Sequence, residues 1–437
     1  MYGLDNVRNL QIGLLGLGTV GTGVVKTLQE NQRHIFSQSG ISIQLKKILV
    51  KDIKKQRKVE VDARQLTTDG KTIVSDPEIS IVIEVMGGME PAFTLVKGAL
   101  EAGKHVVTAN KELLAKRGQE LLQLAADHRV HLLYEASVGG GIPVIRTLQA
   151  YLSANRVSSL RGILNGTCNY ILTQMAEHGS SFASALAQAQ QSGFAEADPT
   201  SDVEGFDASY KLLLLANMAF PLISFSPADV QRQGISEVNA VDMLVAKQFN
   251  SVIKLIAQGS YNGNAVALNV GPRMIPWTDS LATIRDEFNA VVINADVAGD
   301  LMLVGKGAGE RPTASAVIED VMVILQSDFP RSKNPIEPWI PKTPVSNRAL
   351  IEDWSYLRIK IDTPQEMVMR RDAVQQLVLE SQSVREPVIL NDKDQYSGYL
   401  LAFLPLSVAH ITAWGRAKQL RDWIVMPYEG AIFESIS

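Results

Sequence analysis

Residues Leu10 to Leu28 read L-Q-I-G-L-L-G-L-G-T-V-G-T-G-V-V-K-T-L. Leu10 to Leu15 is a mostly apolar strand. It runs into Gly16-Leu17-Gly18-Thr19-Val20-Gly21, after which Val20, Val24 and Leu28 recur at helical spacing. A strand, then G-x-G-x-x-G, then a helix is the setting in which this motif binds a dinucleotide. Gly16 permits the tight turn, Gly18 lets a pyrophosphate approach the backbone, and Gly21 packs the helix on the strand. Thr19 and Val20 open the helix, whose N-terminus attracts phosphate. Glycine turns are common, so the context carries the reading, not the glycines.

Outward from this turn the chain keeps the rhythm of a doubly wound parallel sheet. A second strand is expected at Ile41 to Val50. An NAD site usually places an Asp or Glu at its end to read the ribose 2′-hydroxyl; here Lys51 comes first and Asp52 after it. Lys46 to Lys58 holds seven basic residues and one acidic, which favours a 2′-phosphate and so NADP, with NAD left open by Asp52 and a plain solvated basic loop as the bland reading. A strand at Ile79 to Val85 ends in Met86-Gly87-Gly88, where Gly87 lets backbone lie against a cofactor. A helix near Pro91 to Ala102 leads to a strand at His105 to Val107 and then Thr108-Ala109-Asn110-Lys111. Lys111 therefore sits at the carboxyl end of a parallel strand, where such sheets place ligands. A helix start is a poor place for a surface cation. The next strand, Val130 to Ala136, contains Glu135 and ends in S-V-G-G-G-I-P. Its carbonyls with Glu135 have the chemistry to hold a hard cation, though from the residues alone a plain turn is the simpler reading.

The chemistry concentrates further on. Glu196 to Ala216 reads E-A-D-P-T-S-D-V-E-G-F-D-A-S-Y-K-L-L-L-L-A. Asp207 and Lys211 are four apart, on one helical face. From Leu212 to Phe220 the only polar side chain is Asn217, so this helix is buried. A buried lysine held by a carboxylate can give a proton to a developing alkoxide; the bland alternative is an ordinary salt bridge. Ser201 and Glu204 read as a capping box that starts the helix near Asp202. Glu196 and Asp198 lie just before it, a cluster suited to an amino-bearing substrate. Upstream, a strand at Val157 to Leu164 is followed by Asn165-Gly166-Thr167-Cys168-Asn169, opening a helix to about Glu177. Its free amides suit a carboxylate or phosphate; simple N-capping by Asn165 or Thr167 is the bland reading. Strands are expected at Ser260 to Asn269 and Ala290 to Val297. Gly305 to Gly309 is a second glycine-rich turn, before a helix of small residues from Pro312.

The whole chain has 437 residues, 46% apolar and 20% charged, with net charge −4 and pI near 6.0. This suits a soluble protein of two or three domains and gives no reason to expect nucleic acid or a membrane as partner. Cys168 is the only cysteine, which excludes an internal disulfide and a cysteine-rich metal site. The first ten residues lack a signal peptide's apolar core, so the expected location is cytoplasmic.

The motifs G-L-G-T-V-G, T-A-N-K, E-A-S-V-G-G-G-I-P, G-I-L-N-G-T-C-N-Y-I-L-T, G-F-A-E-A-D-P-T-S-D-V-E-G-F-D-A-S-Y-K-L and G-A-G-E-R-P-T-A-S-A-V occur in that order between Ile12 and Gln326. Over this span the chain resembles homoserine dehydrogenase. The resemblance implies reduction of L-aspartate 4-semialdehyde to L-homoserine with NADPH or NADH, serving threonine, methionine and isoleucine synthesis. It implies Lys211 as proton donor and Lys111 as a second catalytic lysine. Asp207 and Glu196 would contact the substrate, Gly166, Thr167 and Gly193 would line the site, and Gly193 and Gly307 would lie near the cofactor. Glu135 with the carbonyls of Val138, Gly140 and Ile142 resembles the family's site for a monovalent cation, Na⁺ or K⁺, and this revises the bland reading of that loop. Phe194 departs from the family, where tyrosine is usual. So does Trp277 to Asn289, where T-D-S-L-A replaces the usual His-Pro-Leu-Ala form.

Asn334 to Pro344 is proline-rich and reads as a linker. Beyond it Tyr356 to Ile361 alternates like a strand, Ala373 to Glu380 is helical, and Val388 to Leu390 and Tyr399 to Leu404 are strand-like. The position and the opening Y-L-R-I-K-I resemble the ACT regulatory domain. Asp362-Thr363-Pro364-Gln365 lacks the glycine of that family's turn, which weakens threonine feedback as an expectation and leaves subunit assembly as the alternative. The expected organisation is α/β: a Rossmann-type domain at 1–148, and an α+β substrate and dimerisation domain at 149–330 whose last helix, about 312–326, packs back on the first. A linker at 331–350 and an ACT-like α+β domain at 351–437 complete it, in a homodimer or homotetramer. Two readings compete with the dehydrogenase. One is a semialdehyde-oxidising enzyme working through a thiohemiacetal on Cys168, against which stands the lack of a nearby histidine (His178 is the closest). The other is a nucleotide-binding sensor without catalysis.

Overall fold

The computed structural model describes residues 8–221, 224–261, 263, 265–326, 354–381, 388–390, 398–420 and 422–429. They fall into two compact units that are not consecutive blocks of chain. One gathers the residues up to Val157, Leu213–Pro227 and the segment from Ala295; the other gathers Ser158–Leu212, Ala228–Asn294 and the C-terminal described residues. The proline-rich linker reading, Asn334 to Pro344, lies outside the described residues.

The first unit is built on six parallel strands: β1 (Arg8–Leu15), β2 (Ile41–Leu49), β3 (Leu66–Thr67), β4 (Ile79–Glu84), β5 (His105–Thr108) and β6 (Leu132–Leu133). Their order is β3-β2-β1-β4-β5-β6, that of a dinucleotide-binding doubly wound sheet. The middle strands are continuous apolar runs because helices cover both faces. Ile12, Leu14, Ile81, Ile83 and Val107 are fully buried and share one core with Val24 of the helix Thr19–Glu30 and Ala314, Val317 and Val321 of the helix Glu310–Gln326. The two helices pack closely: a Cβ on Gly23 would lie 2.4 Å from the Glu310 carbonyl oxygen. The expected strand Val130 to Ala136 is corrected. Only Leu132–Leu133 pair with β5, and Glu135–Ser137 is a 3₁₀ turn. Ser137 Oγ donates to the Tyr134 carbonyl, and the Glu135 carboxylate accepts the backbone N–H groups of Ile145 and Arg146, which bends this stretch away from the sheet.

In the second unit the strands Val157–Ile163, Ser251–Tyr261 and Val266–Pro276 are neighbours, and a Cβ on Gly162 would press on the Ala290 carbonyl of the strand Phe288–Ala295. The expected strand Ser260 to Asn269 is corrected: those residues span the hairpin between Ser251–Tyr261 and Val266–Pro276, paired antiparallel from Tyr261↔Val266 to Ser251↔Pro276. Gly263, at φ +91°, marks the reversal.

The C-terminal strands extend this sheet. Trp354–Lys360, a helix Pro364–Glu380, Val388–Leu390, Tyr399–Leu404, a helix Val408–Ala417 and Trp423–Tyr428 follow one another as β-α-β-β-α-β. Trp354–Lys360 lies between Trp423–Tyr428 and Tyr399–Leu404, which in turn pairs with Val388–Leu390, all antiparallel. Tyr428 pairs with Met274. The helix begins at Pro364 rather than Ala373, because Thr363 caps it by accepting the Glu366 N–H and proline suits the first turn. The helix Val408–Ala417 and the last strand were not anticipated from sequence. Among the described residues no helix is long and apolar enough to cross a membrane.

Candidate active site

Lys211 lies on the helix Phe206–Ala219 and is 8% exposed. Its Nζ donates to Asp207 Oδ2 at 2.7 Å and to the Leu164 carbonyl at 2.8 Å. The helix starts later than expected. Thr200–Val203 forms a separate turn, Gly205 reverses the chain at φ +77°, and the long helix begins at Phe206. Ser201 and Glu204 therefore make no capping box; Glu204 instead accepts from the Ser236 hydroxyl. The break places Asp202 beside Asp207 instead of one helical turn beneath it. Asn165 Nδ2 donates to both, to Asp202 Oδ1 at 2.7 Å and Asp207 Oδ2 at 2.8 Å. Burial, and next the neighbouring Asp207 charge, push the Asp202 carboxyl above the usual range.

Asn165 does a second job. Its Oδ1 accepts the Cys168 N–H and caps the helix Gly166–His178, as the bland reading supposed. Thr167 Oγ1 donates to the Phe194 carbonyl at 2.6 Å and sits 3.2 Å from Asp202 Oδ2. The structure thus brings Lys211, Asp207, Gly166 and Thr167 together and adds Asn165, Asp202 and the Leu164 carbonyl. An S-D-V-E-G stretch whose glycine ends a turn was the available signal for Asp202. Glu196 is exposed on the same loop, just beyond Phe194, and Gly193 is exposed at φ +76°. Phe194 rests on Tyr170, ring centroids 5.0 Å apart. Cys168 is 0% exposed, its thiol donates to the Asp202 carbonyl, and burial raises its pKa well above the ordinary value. A buried, protonated thiol is a poor nucleophile, which removes the thiohemiacetal reading.

In the first unit the glycine turn has the shape the sequence asked for. Gly16 stands at φ +107°, with Met86 and the Val85 carbonyl where a Cβ would go. A Cβ on Gly21 would lie 2.2 Å from the Gly16 carbonyl oxygen, while Gly18 faces open space. Gly18 is the N-cap residue of the helix that Thr19 and Val20 begin, so backbone N–H groups are presented there. The neighbouring turn is fixed from below by a residue the sequence reading passed over. Glu84, fully buried, accepts the N–H groups of Met86 and Gly87 and, at 2.6 Å, the Thr108 hydroxyl. Burial pushes its carboxyl upward. Asn110 Nδ2 donates to the Gly88 carbonyl and its Oδ1 caps the helix Lys111–Asp127. Thr108 and Asn110 thereby shape the Gly87–Gly88 turn, and Lys111 is the first helical residue. Lys51 is exposed, and Asp52 closes a local turn on the Lys54 N–H.

Glu135 is buried, and burial raises its carboxyl above the usual range. Its two oxygens accept the Ile145 and Arg146 N–H groups at 2.8 and 2.7 Å. Gly139 and Gly140 both adopt left-handed φ, +75° and +56°, and a Cβ on Gly140 would strike Gly307. A buried carboxylate followed closely in the chain by this tight glycine turn has the donor chemistry of a hard-cation site. Among the described residues no group of three or more His, Cys, Asp or Glu side chains is arranged for a metal.

The family profile for homoserine dehydrogenase matches residues 143–322, and that for the homoserine dehydrogenase NAD binding domain matches 16–135. A homoserine dehydrogenase of Bacillus subtilis is 41% identical over 321 residues, 74% of each chain. The chain belongs to the homoserine dehydrogenase family. The crystal structure of a homoserine dehydrogenase from Thiobacillus denitrificans matches with TM-score 0.85 and 32% identity over 97% of this chain and 99% of that one. A hyperthermophilic archaeal homoserine dehydrogenase in complex with NADPH matches with TM-score 0.61 and 27% identity, over 72% of this chain and 97% of that one. As a homoserine dehydrogenase this chain is an NAD(P)-dependent oxidoreductase. It interconverts L-aspartate 4-semialdehyde and L-homoserine.

Proposed function

We propose that Lys211 is the proton donor of semialdehyde reduction. The observation that carries this is its buried ammonium, fixed by Asp207 and the Leu164 carbonyl. Two of its three N–H groups are spent there; the third we assign to the substrate oxygen, to which it gives a proton as the carbonyl becomes an alcohol. Asp207, oriented by Asn165, and Glu196 receive the substrate's amino and hydroxyl ends, with Gly166 and Thr167 lining the pocket. A nicotinamide cofactor supplies the hydride. Gly16, Gly18, Thr19, Val20, Gly21, Gly87, Thr108, Gly193 and Gly307 are assigned to its binding, and Lys111 to a second catalytic role beside it. Lys51 and the basic residues that follow favour NADP over NAD, since the Asp52 carboxylate is turned onto Lys54. Glu135 with the carbonyls of Val138, Gly140 and Ile142 would hold Na⁺ or K⁺, a charge that offsets the cost of burying the carboxylate.

The parts are assigned as a dinucleotide-binding domain (1–148), a substrate and dimerisation domain (149–330), and an ACT-like domain (351–437) in a cytoplasmic homodimer or homotetramer. The β-α-β-β-α-β order supports the ACT-like assignment. Because Thr363 and Pro364 start a helix where an effector-binding glycine turn would stand, assembly is its favoured role. Homoserine oxidation followed at 340 nm with NADP and NAD, with and without K⁺ or Na⁺, tests these assignments. Turnover that is faster with NADP and raised by one cation is expected. A preference for NAD would overturn the Lys51 assignment, and indifference to both cations the Glu135 one.

A further inference from the structure

Lys254 is buried at 4% exposure on the strand Ser251–Tyr261 and takes no part in the chemistry above. Its Nζ donates to the Ile284 carbonyl at 2.6 Å and to Asn169 Oδ1 at 2.9 Å. Asn169 Nδ2 in turn donates to the carbonyls of Ile284 and Phe288, at 3.2 and 3.1 Å. Thr173 Oγ1 donates to the Asn169 carbonyl and accepts the Asp286 N–H. Asp286 stands in left-handed backbone at φ +53°, a conformation that costs energy in a non-glycine residue and persists only where its surroundings impose it. Between these ties lies Glu287, whose carbonyl oxygen would be 2.6 Å from a Cβ on Gly166.

We propose that Lys254 is a positioning residue for the dehydrogenase reaction: it clamps the loop 284–288 onto the first turns of the helix Gly166–His178 and so fixes the Leu164–Gly166 turn on which Lys211 and Asp207 are hung. The reasoning is geometric. Leu164 supplies one of the two acceptors of Lys211, Asn165 orients Asp207, and Gly166 abuts the clamped loop with no space between. Freeing the loop frees the turn, and small displacements of a catalytic group are expensive in rate. Burying an ammonium without a carboxylate bonded to it is costly. Burial lowers the Lys254 pKa to about 8 against the raising effects of Glu177 and Asp286, while Arg285 lowers it further. A lysine kept at that cost, with one donor on the Ile284 carbonyl of the loop and another on Asn169 Oδ1 of the helix, fits a clamp better than simple filling of the core.

The inference rests on the Lys211 reading, so the experiment runs both. Homoserine oxidation is measured for wild type, Lys211→Met, Lys254→Met, Asn169→Ala and the Lys254→Met/Asn169→Ala double variant, with thermal midpoints alongside. For Lys254→Met we expect kcat to fall about tenfold to a hundredfold, with the KM for NADP within about twofold of wild type. The double variant should lose little more than the worse single one, because both changes release one clamp. A folded Lys254→Met enzyme with kcat near wild type overturns the proposal, as do losses that multiply in the double variant. If Lys254→Met does not accumulate as folded protein, Asn169→Ala carries the same expectation and the same refutation. Lys211→Met retaining its kcat would instead overturn the site reading on which the clamp depends.

Discussion

Two buried lysines of this chain teach opposite lessons about reading residues. Lys211 announces itself, because Asp207 lies four positions earlier and an apolar run follows, so the pair, its burial and its chemistry are all local. Lys254 does not. In S-V-I-K-L-I-A-Q it reads as one polar position of a strand, and its partners Asn169 and Ile284 come from distant parts of the chain. The acid–base role proposed for Lys211 gives a direct expectation. Lys211→Ala should lower kcat by a factor of about 10²–10⁴, the usual contribution of a positioned acid, with little change in cofactor affinity measured by NADPH fluorescence. A variant keeping most of its kcat would move the proton to Lys111 or to water.

At the scale of elements, the strands and helices with a clear period were legible and their ends were not. The Ser251–Tyr261 and Val266–Pro276 strands merged into one misplaced strand, because Y-N-G-N at the hairpin was passed over as part of an extended run. S-x-x-E misled for a related reason: Gly205 breaks the chain only one residue beyond Glu204, so the cap had no continuous helix to open. Helix packing offers a test. The helix Glu310–Gln326 approaches the helix Thr19–Glu30 so closely at Gly23 that a side chain must displace the Glu310 carbonyl or Ala314. Gly23→Val should cost about 1–3 kcal/mol by overpacking, read as a lower thermal midpoint. An unchanged midpoint would mean that the contact is looser than its 2.4 Å clearance implies.

For the molecule as a whole, the C-terminal strands do not stand apart from the second compact unit. Arg358, 1% exposed, donates from Nε to Asp242 Oδ1, from Nη1 to Asp422 and from Nη2 to the Glu237 carbonyl, and Tyr356 donates its hydroxyl to the same Asp242 oxygen. Asp242 also completes the cap of the helix Ala240–Gln248 by accepting the Asn239 N–H. Removing one side of a buried ion pair strands the other charge. Asp242→Ala should therefore cost about 3–5 kcal/mol, seen as an earlier chemical denaturation midpoint. Asp242→Leu with Arg358→Met should cost clearly less. Equal losses would show that the pair stabilises the fold outright, beyond merely satisfying two buried charges.

The sequence by itself determined the nucleotide-binding sheet, the family and the pairing of Lys211 with Asp207. Those rest on short-range regularities, a glycine turn between strand and helix and an i,i+4 pair on an apolar helix, which survive in one dimension. Only the tertiary structure decided that Asn165 and Asp202 converge on Asp207, that Cys168 is sealed away as a thiol, and that Arg358 is anchored by Asp242. It also fixed the C-terminal strands as a continuation of the second unit's sheet. These contacts join residues tens of positions apart through hydrogen bonds to single atoms. Burial makes such bonds obligatory, yet no periodicity in the chain records which distant partner will supply them.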